Sequence, residues 1–97
     1  MFIVLVRFTL KPDSVEAFRE RVLVHANNSL TNEETCRQFD VSFDPEEPTS
    51  CLLYEVYDDR AAFDRHTQAT YFAEFGAAIE DWIDSKDLTL WERVEAD

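Results

Sequence analysis

Glycine is almost missing: the 97-residue chain has a single one, Gly76. A phosphate-cradling loop or a dinucleotide fingerprint needs several glycines where backbone approaches an anion, so both are excluded. Basic residues are scarce too. Nine Lys and Arg stand against 21 Asp and Glu, a formal charge of −12, and only Lys11 and Lys86 are lysines. Nucleic acid requires a basic footprint and an anionic membrane requires the same, so neither is an expected partner. The acidic, lysine-poor surface reads as adaptation to salt, in which carboxylates hold water and keep neighbours apart, rather than as an acidic docking face.

Long apolar runs are also absent. The apolar start MFIVLVRF is broken at Arg7, with no basic region before it and no small-residue cleavage site after it. A cytoplasmic protein without a membrane-spanning helix is therefore expected. The two cysteines, Cys36 and Cys51, are too few for a metal motif, and the two histidines, His25 and His66, lack metal-ligand spacing. On the two arms of a hairpin turning near Asp44 to Thr49, Cys36 falls opposite about position 57 and Cys51 opposite about position 42. At ~3.3 Å per residue they lie roughly 20 Å apart, beyond the reach of a disulfide. No metal and no other cofactor is expected.

What the chain does have is hydrophobic residues, 45% of it, enough for one domain over 1–97 with one core. The aromatic content exceeds what a small isolated core needs, which points to burial against a second subunit. MFIVLVRFTL is rich in β-branched and aromatic residues and stops at Lys11-Pro12, so it predicts a first strand, apolar on both faces. A helix follows, with Asp13 as N-cap, Glu16 three residues on, and Val15, Phe18, Val22 and Ala26 at helical spacing; His25 falls on the same face. CRQFDVSFD and CLLYEVYDD are strands joined by a PEEPT turn, whose prolines cannot sit inside a ladder. DDRAAFDRH predicts a short helix and TYFAEFGAAIEDWI a longer one, with Phe72, Phe75, Ile79 and Trp82 in a stripe, before LTLWERV closes the chain as a fourth strand.

The order βαββαβ is the α+β, ferredoxin-like split βαβ arrangement: a four-stranded antiparallel sheet with helices on one face. Ile3 and Leu5 point to one side of the first strand and Val4, Val6 and Phe8 to the other, so both sides must leave water. A homodimer pairing two sheets face to face, with the chain near Trp91 reaching to the partner, is the simplest cover.

The stretch CRQFDVSFDPEEPTSCLLYEVYDDRAAFDRHTQATYF, more than a third of the chain, resembles the antibiotic biosynthesis monooxygenase family of dimeric α+β barrel proteins. The likeness is carried by the F-D-V…D-P strand, the Y-E-V-Y strand and the helix pair A-F-x-x-H-x-x-T/A-x-x-F, in the family's order. Within the family it is most similar to quinol monooxygenase-like proteins and to the isomerase of phosphorylated autoinducer-2 breakdown. The resemblance implies a cofactor-free monooxygenase for a small quinol or polyphenol, or an isomerase of a small phosphorylated hydroxyketone, or a module that binds without reacting. Two departures stand out. Glu33 to Cys36 replaces a Pro-Gly turn common in relatives, so that loop must be built differently. Haem-degrading relatives carry an Asn, a Trp and a His where this chain has Val6, His66 and Gly76, which argues against haem chemistry.

His66 is the expected catalytic residue. With Ala62 and Phe63 one turn back it can point at the sheet, and imidazole exchanges a proton near neutral pH; the alternative is a packed histidine donating to a backbone carbonyl. Val6, His25, Tyr54, Phe63, Phe72 and Phe75 are the expected substrate-binding residues. Arg7 and Glu55, mid-strand in apolar runs on neighbouring strands, are expected to neutralise each other on the dimer side, with Tyr57 beside them. For a phosphorylated substrate, Arg65, Arg37 and Arg7 are the expected suppliers of a cation.

Overall fold

The computed structural model describes residues 1–95; residues 96 and 97 of the expected single domain lie outside the described residues. The elements are β1 (Phe2–Leu10), α1 (Val15–Asn32), β2 (Cys36–Phe43), β3 (Ser50–Tyr57), α2 (Arg60–Gln68), α3 (Thr70–Ile79) and β4 (Ile83–Glu92), with 3-10 turns at Pro12–Ser14 and Glu80–Trp82. The strands form one antiparallel sheet in the order β2-β3-β1-β4, and the three helices cover one of its faces. This is the expected ferredoxin-like α+β fold.

Alternation decides which side chains meet the helices. Phe2, Val4, Val6, Phe8 and Leu10 of β1 enter the core with Cys51, Leu53 and Tyr57 of β3. Helix α1 presents Phe18, Val22, His25, Ala26 and Ser29 at three- and four-residue spacing to the same layer. Phe18 is the hub, with its ring centroid 5.1 Å from Phe8 and 6.3 Å from Phe75.

Local signals set the joints. Pro12 opens a 3-10 turn that takes up Asp13 and Ser14, so α1 starts at Val15, and Ser14 rather than Asp13 is its cap residue. Asp44 closes the β2–β3 hairpin by accepting from the Glu46 amide at 2.9 Å, while its own amide donates to Ser50 at 3.0 Å. Asp59 caps α2 by accepting from the Ala62 amide at 2.8 Å. No described residue has positive φ, so the loop after α1 is turned without a left-handed residue, in keeping with the missing glycine. β4 begins at Ile83, five residues before the expected Leu88. Its polar first half is legitimate on a sheet edge, where main-chain pairing with β1 fixes the strand and the side chains meet water.

The face of β3 differs from expectation. Val4 pairs with Glu55 and Arg7 with Leu52, so Arg7 and Glu55 lie on opposite faces and cannot neutralise each other. Glu55 and Tyr57 face the helices, not the open face expected to meet a second copy. Tyr54 faces away from them, and its hydroxyl accepts from the Arg93 guanidinium at 3.1 Å. The physical reason is the two-residue period: one step of register exchanges every side chain between faces.

Candidate active site

Between the sheet and the helices lies a cavity of about 90 Å³. Its floor is Val4, Val6, Phe8, Leu53 and Glu55; its roof is His25 from α1, Phe63 and His66 from α2, and Phe72, Phe75, Gly76 and Ile79 from α3. Lys86 and Leu88 of β4 complete the lining at the edge no helix covers; Leu88 is 41% exposed, so the cavity opens there. Six expected residues, Val6, His25, Phe63, His66, Phe72 and Phe75, therefore share one wall system. Tyr54 is not among them.

His66 is 1% exposed, and its Nδ1 lies 2.9 Å from Glu33 Oε2. A carboxylate only accepts, so Nδ1 carries a proton, and in the neutral ring the lone pair is on Nε2. Its partner is thus a side-chain carboxylate, not the backbone carbonyl considered above. The Tyr71 hydroxyl donates to the same Glu33 oxygen, and burial, then this bond, holds the Tyr71 phenol above its ordinary range.

A second polar station sits on the floor. The Tyr57 hydroxyl donates to Glu55 Oε1 at 2.6 Å. Burial pushes the Glu55 carboxyl up to about 7, with the Tyr57 bond opposing the rise, so it holds or releases a proton near neutrality. Burial, then the Glu55 charge, raises the Tyr57 phenol far out of reach of ionisation. His25 stacks on Phe75 at 4.2 Å between centroids, and its Nδ1 is buried without a partner among the described residues. Burial first, and then His66, lowers His25 to about 3, so its imidazole stays neutral at working pH.

Other candidates fall outside. The Arg37 guanidinium donates twice to Asp58, at 2.6 and 3.1 Å, on the exterior. Arg65 lines an outer depression and Arg7 the open face of the sheet, so none of the three expected arginines supplies the cavity; Lys86 does. Both cysteines are free and buried, and burial lifts each thiol to about 12, which silences them as nucleophiles. Among the described residues no group of three or more His, Cys, Asp or Glu is placed to hold a metal ion, and no helix is long and apolar enough to cross a membrane.

Sequence reasoning missed Glu33, Tyr71 and Lys86. Glu33 stands 33 positions from His66 and belongs to no motif. Lys86 could have been found, because it pairs with Phe8 once β4 is extended back to Ile83.

A ferredoxin-like α+β sheet roofed on one face by helices defines the class. The chain belongs to the antibiotic biosynthesis monooxygenase family, whose profile matches residues 1–78. Solved structures of provisionally named antibiotic biosynthesis monooxygenases share the fold. One from Nitrosomonas europaea is 23% identical, with a TM-score of 0.93 over 98% of this chain and 100% of its own. One from Deinococcus radiodurans is 20% identical, with a TM-score of 0.91 over 100% of this chain and 96% of its own. One from Caulobacter crescentus CB15 is 21% identical, with a TM-score of 0.92 over 97% of this chain and 90% of its own. No curated protein sequence matches the chain.

Proposed function

We propose that the protein is a cofactor-independent monooxygenase acting on a small quinol or polyphenol in the cytoplasm, with His66 as the base. The supporting observation is the His66–Glu33 pair: a buried imidazole whose Nδ1 is held by a carboxylate lines a mostly apolar cavity, which leaves Nε2 as the atom to take a proton. His66 takes the phenolic proton. The substrate anion then reduces dioxygen, one oxygen atom enters a ring carbon, and the other leaves as water: quinol plus O2 gives hydroxyquinone plus H2O. The proton held by His66 returns to the departing hydroxide. The chain contributes desolvation, orientation and the base.

Size limits the substrate. A cavity of about 150 Å³ holds benzene, and this one is about 90 Å³. One ring enters only partly and the remainder sits at the mouth, beside Lys86 and Leu88. Gly76 makes the room: it lies within α3, needs no left-handed backbone, and a Cβ there meets nothing within 4 Å. A glycine in a helix interior costs about 1 kcal/mol relative to alanine, and open space over the cavity is what it provides.

The test is oxygen uptake with one-ring and two-ring hydroquinones under ¹⁸O2. Uptake above the autoxidation blank, with one labelled atom in the product, is expected; no uptake with any of them contradicts the proposal. A ligand that binds and is recovered unchanged identifies a binding module instead.

Glu55 and Lys86 favour isomerisation of a phosphorylated hydroxyketone as the second reading. A carboxyl near its midpoint at neutral pH can return a proton that His66 removes, and Lys86 at the mouth can hold a phosphate. Carbon-bound deuterium gained by such a ketone in D2O without oxygen uptake favours it over oxygenation.

The working unit is a homodimer. Leu5, Leu52 and Tyr54 on the open face, with Trp91 at its edge, are the surface a second copy covers. Sedimentation at micromolar concentration reads about twice the chain mass if so; a stable monomer contradicts it.

A further inference from the structure

We infer that Glu33 both positions His66 and carries its proton to solvent, which gives the site a proton outlet separate from its substrate mouth. The inference deepens the reading of His66 as the base and rests on it.

Glu33 is the first residue beyond α1. Its amide donates back to the Ser29 carbonyl at 3.1 Å, and its side chain turns inward to 14% exposure. One oxygen, Oε2, receives both His66 Nδ1 and the Tyr71 hydroxyl, so α2 and α3 are tied to one acceptor across the break at Ala69. The other, Oε1, is buried with no hydrogen-bond partner among the described residues. It is an acceptor one transfer from His66 but shielded from bulk water, so release to solvent requires the 14% exposed side chain to turn toward the depression. Glu33 also lines an outer depression with Thr31, Asn32, Glu34, Thr35 and Arg65.

The sheet register places this depression far from the mouth. Glu33 precedes Cys36, which pairs with Tyr57 on β3, at the end of the sheet where Phe2 begins β1. Lys86 pairs with Phe8 on β4, at the other end and the opposite edge. Outlet and mouth are thus diagonal corners. A substrate that fills the mouth cuts the cavity from water there, so any exchange of the His66 proton with solvent before it returns to the product runs through the Glu33 side.

The transfer balances without any co-reactant. Nε2 gains the substrate proton, Nδ1 passes its own to Glu33, and Glu33 releases it to water; reversing the steps delivers a proton to the product. The titratable groups facing His66 are Glu33 from the end of α1, His25 from α1, Tyr57 from β3 and Tyr71 from α3. Glu33 alone among them lines the outer depression.

Imidazole ¹⁵N NMR of the ligand-free protein tests this without turnover. In the wild type the Nδ1–H tautomer of His66 is expected to outnumber the other at least about tenfold, the preference a charged acceptor gives. E33Q offers an amide oxygen of the same shape, so it keeps that tautomer but slows exchange of the ring proton with water about tenfold or more. E33L loses the preference as well. Exchange in E33Q as fast as in the wild type overturns the outlet, and an unchanged tautomer in E33L overturns the positioning role. Should E33L fail to fold, E33Q still decides the outlet. Oxygen uptake is not part of the readout, so failure of the oxygenase proposal leaves a different signature: inert His66 variants with these spectra intact.

Discussion

On the helix side of the sheet Val4, Val6 and Phe8 are buried, and Glu55 is buried with them; on the other side Leu5, Arg7 and Leu52 stand on the same strands and still meet solvent. The two faces share strands and hydrogen-bond ladder, so strand propensity does not separate them. The layer above does. Beneath the helices an ionisable group must be satisfied from within the protein, and Glu55 with Tyr57 and His66 with Glu33 are two such solutions. On the open face Arg7 remains hydrated, and Tyr54 takes Arg93 as its neighbour. Burial on the covered face also moves protonation: Glu55 is raised and His25 lowered from their ordinary values.

The strongest way to break this contrast is to delete one large side chain from each face. Phe18→Ala is expected to cost about 3–5 kcal/mol in urea unfolding, and Leu52→Ala less than about 1.5 kcal/mol in dilute protein. If Leu52→Ala costs more as protein concentration rises, a second copy covers the open face.

A pH series of the same unfolding measurement sharpens it. Glu55 is raised from 4.5 to about 7, so the folded state keeps a proton the unfolded state has lost, and stability falls as pH rises through that window. His25 is lowered from 6.5 to about 3, so the unfolded state holds the extra proton and stability rises with pH across its window. Between 4.5 and 6.5 the two slopes oppose and largely cancel. Glu55→Gln removes one of them, and stability should then climb by about 1.36 kcal/mol per pH unit over that interval. A flat profile in Glu55→Gln contradicts the buried neutral state of His25.

Tyrosines give a smaller contrast. Tyr57→Phe leaves the buried Glu55 without its donor and should cost about 1–3 kcal/mol at neutral pH, whereas Tyr54→Phe should scarcely move the midpoint. Smallest, and opposite in sign, is Gly76→Ala. It is expected to stabilise the protein by about 0.5–1 kcal/mol while weakening ligand binding, read as a higher melting temperature together with a higher KM.

Much of this was legible in the sequence. β-branched runs, the paired prolines of the hairpin and the helical spacing of Val15, Phe18, Val22 and Ala26 gave the topology, and the same spacing placed His25, His66, Phe72 and Phe75 over the sheet. The orientation of β3 was not legible. In LLYEVY both alternate sets mix apolar and polar residues, so the period cannot choose a face, and the pairing of Val4 with Glu55 chooses it instead. Glu33 was out of reach for a different reason. A loop carboxylate reaches His66 only through tertiary packing, and no local pattern marks it.

The claim that chemistry sits on the covered face is tested most directly in an oxygen electrode, with methylhydroquinone as substrate and His66→Ala beside Tyr54→Phe. His66→Ala is expected to lose about 10²–10⁴-fold of the enzymatic rate, the usual contribution of a positioned base, while Tyr54→Phe keeps the wild-type rate. Undiminished uptake in His66→Ala, or its loss in Tyr54→Phe, would contradict the assignment of the site to that face.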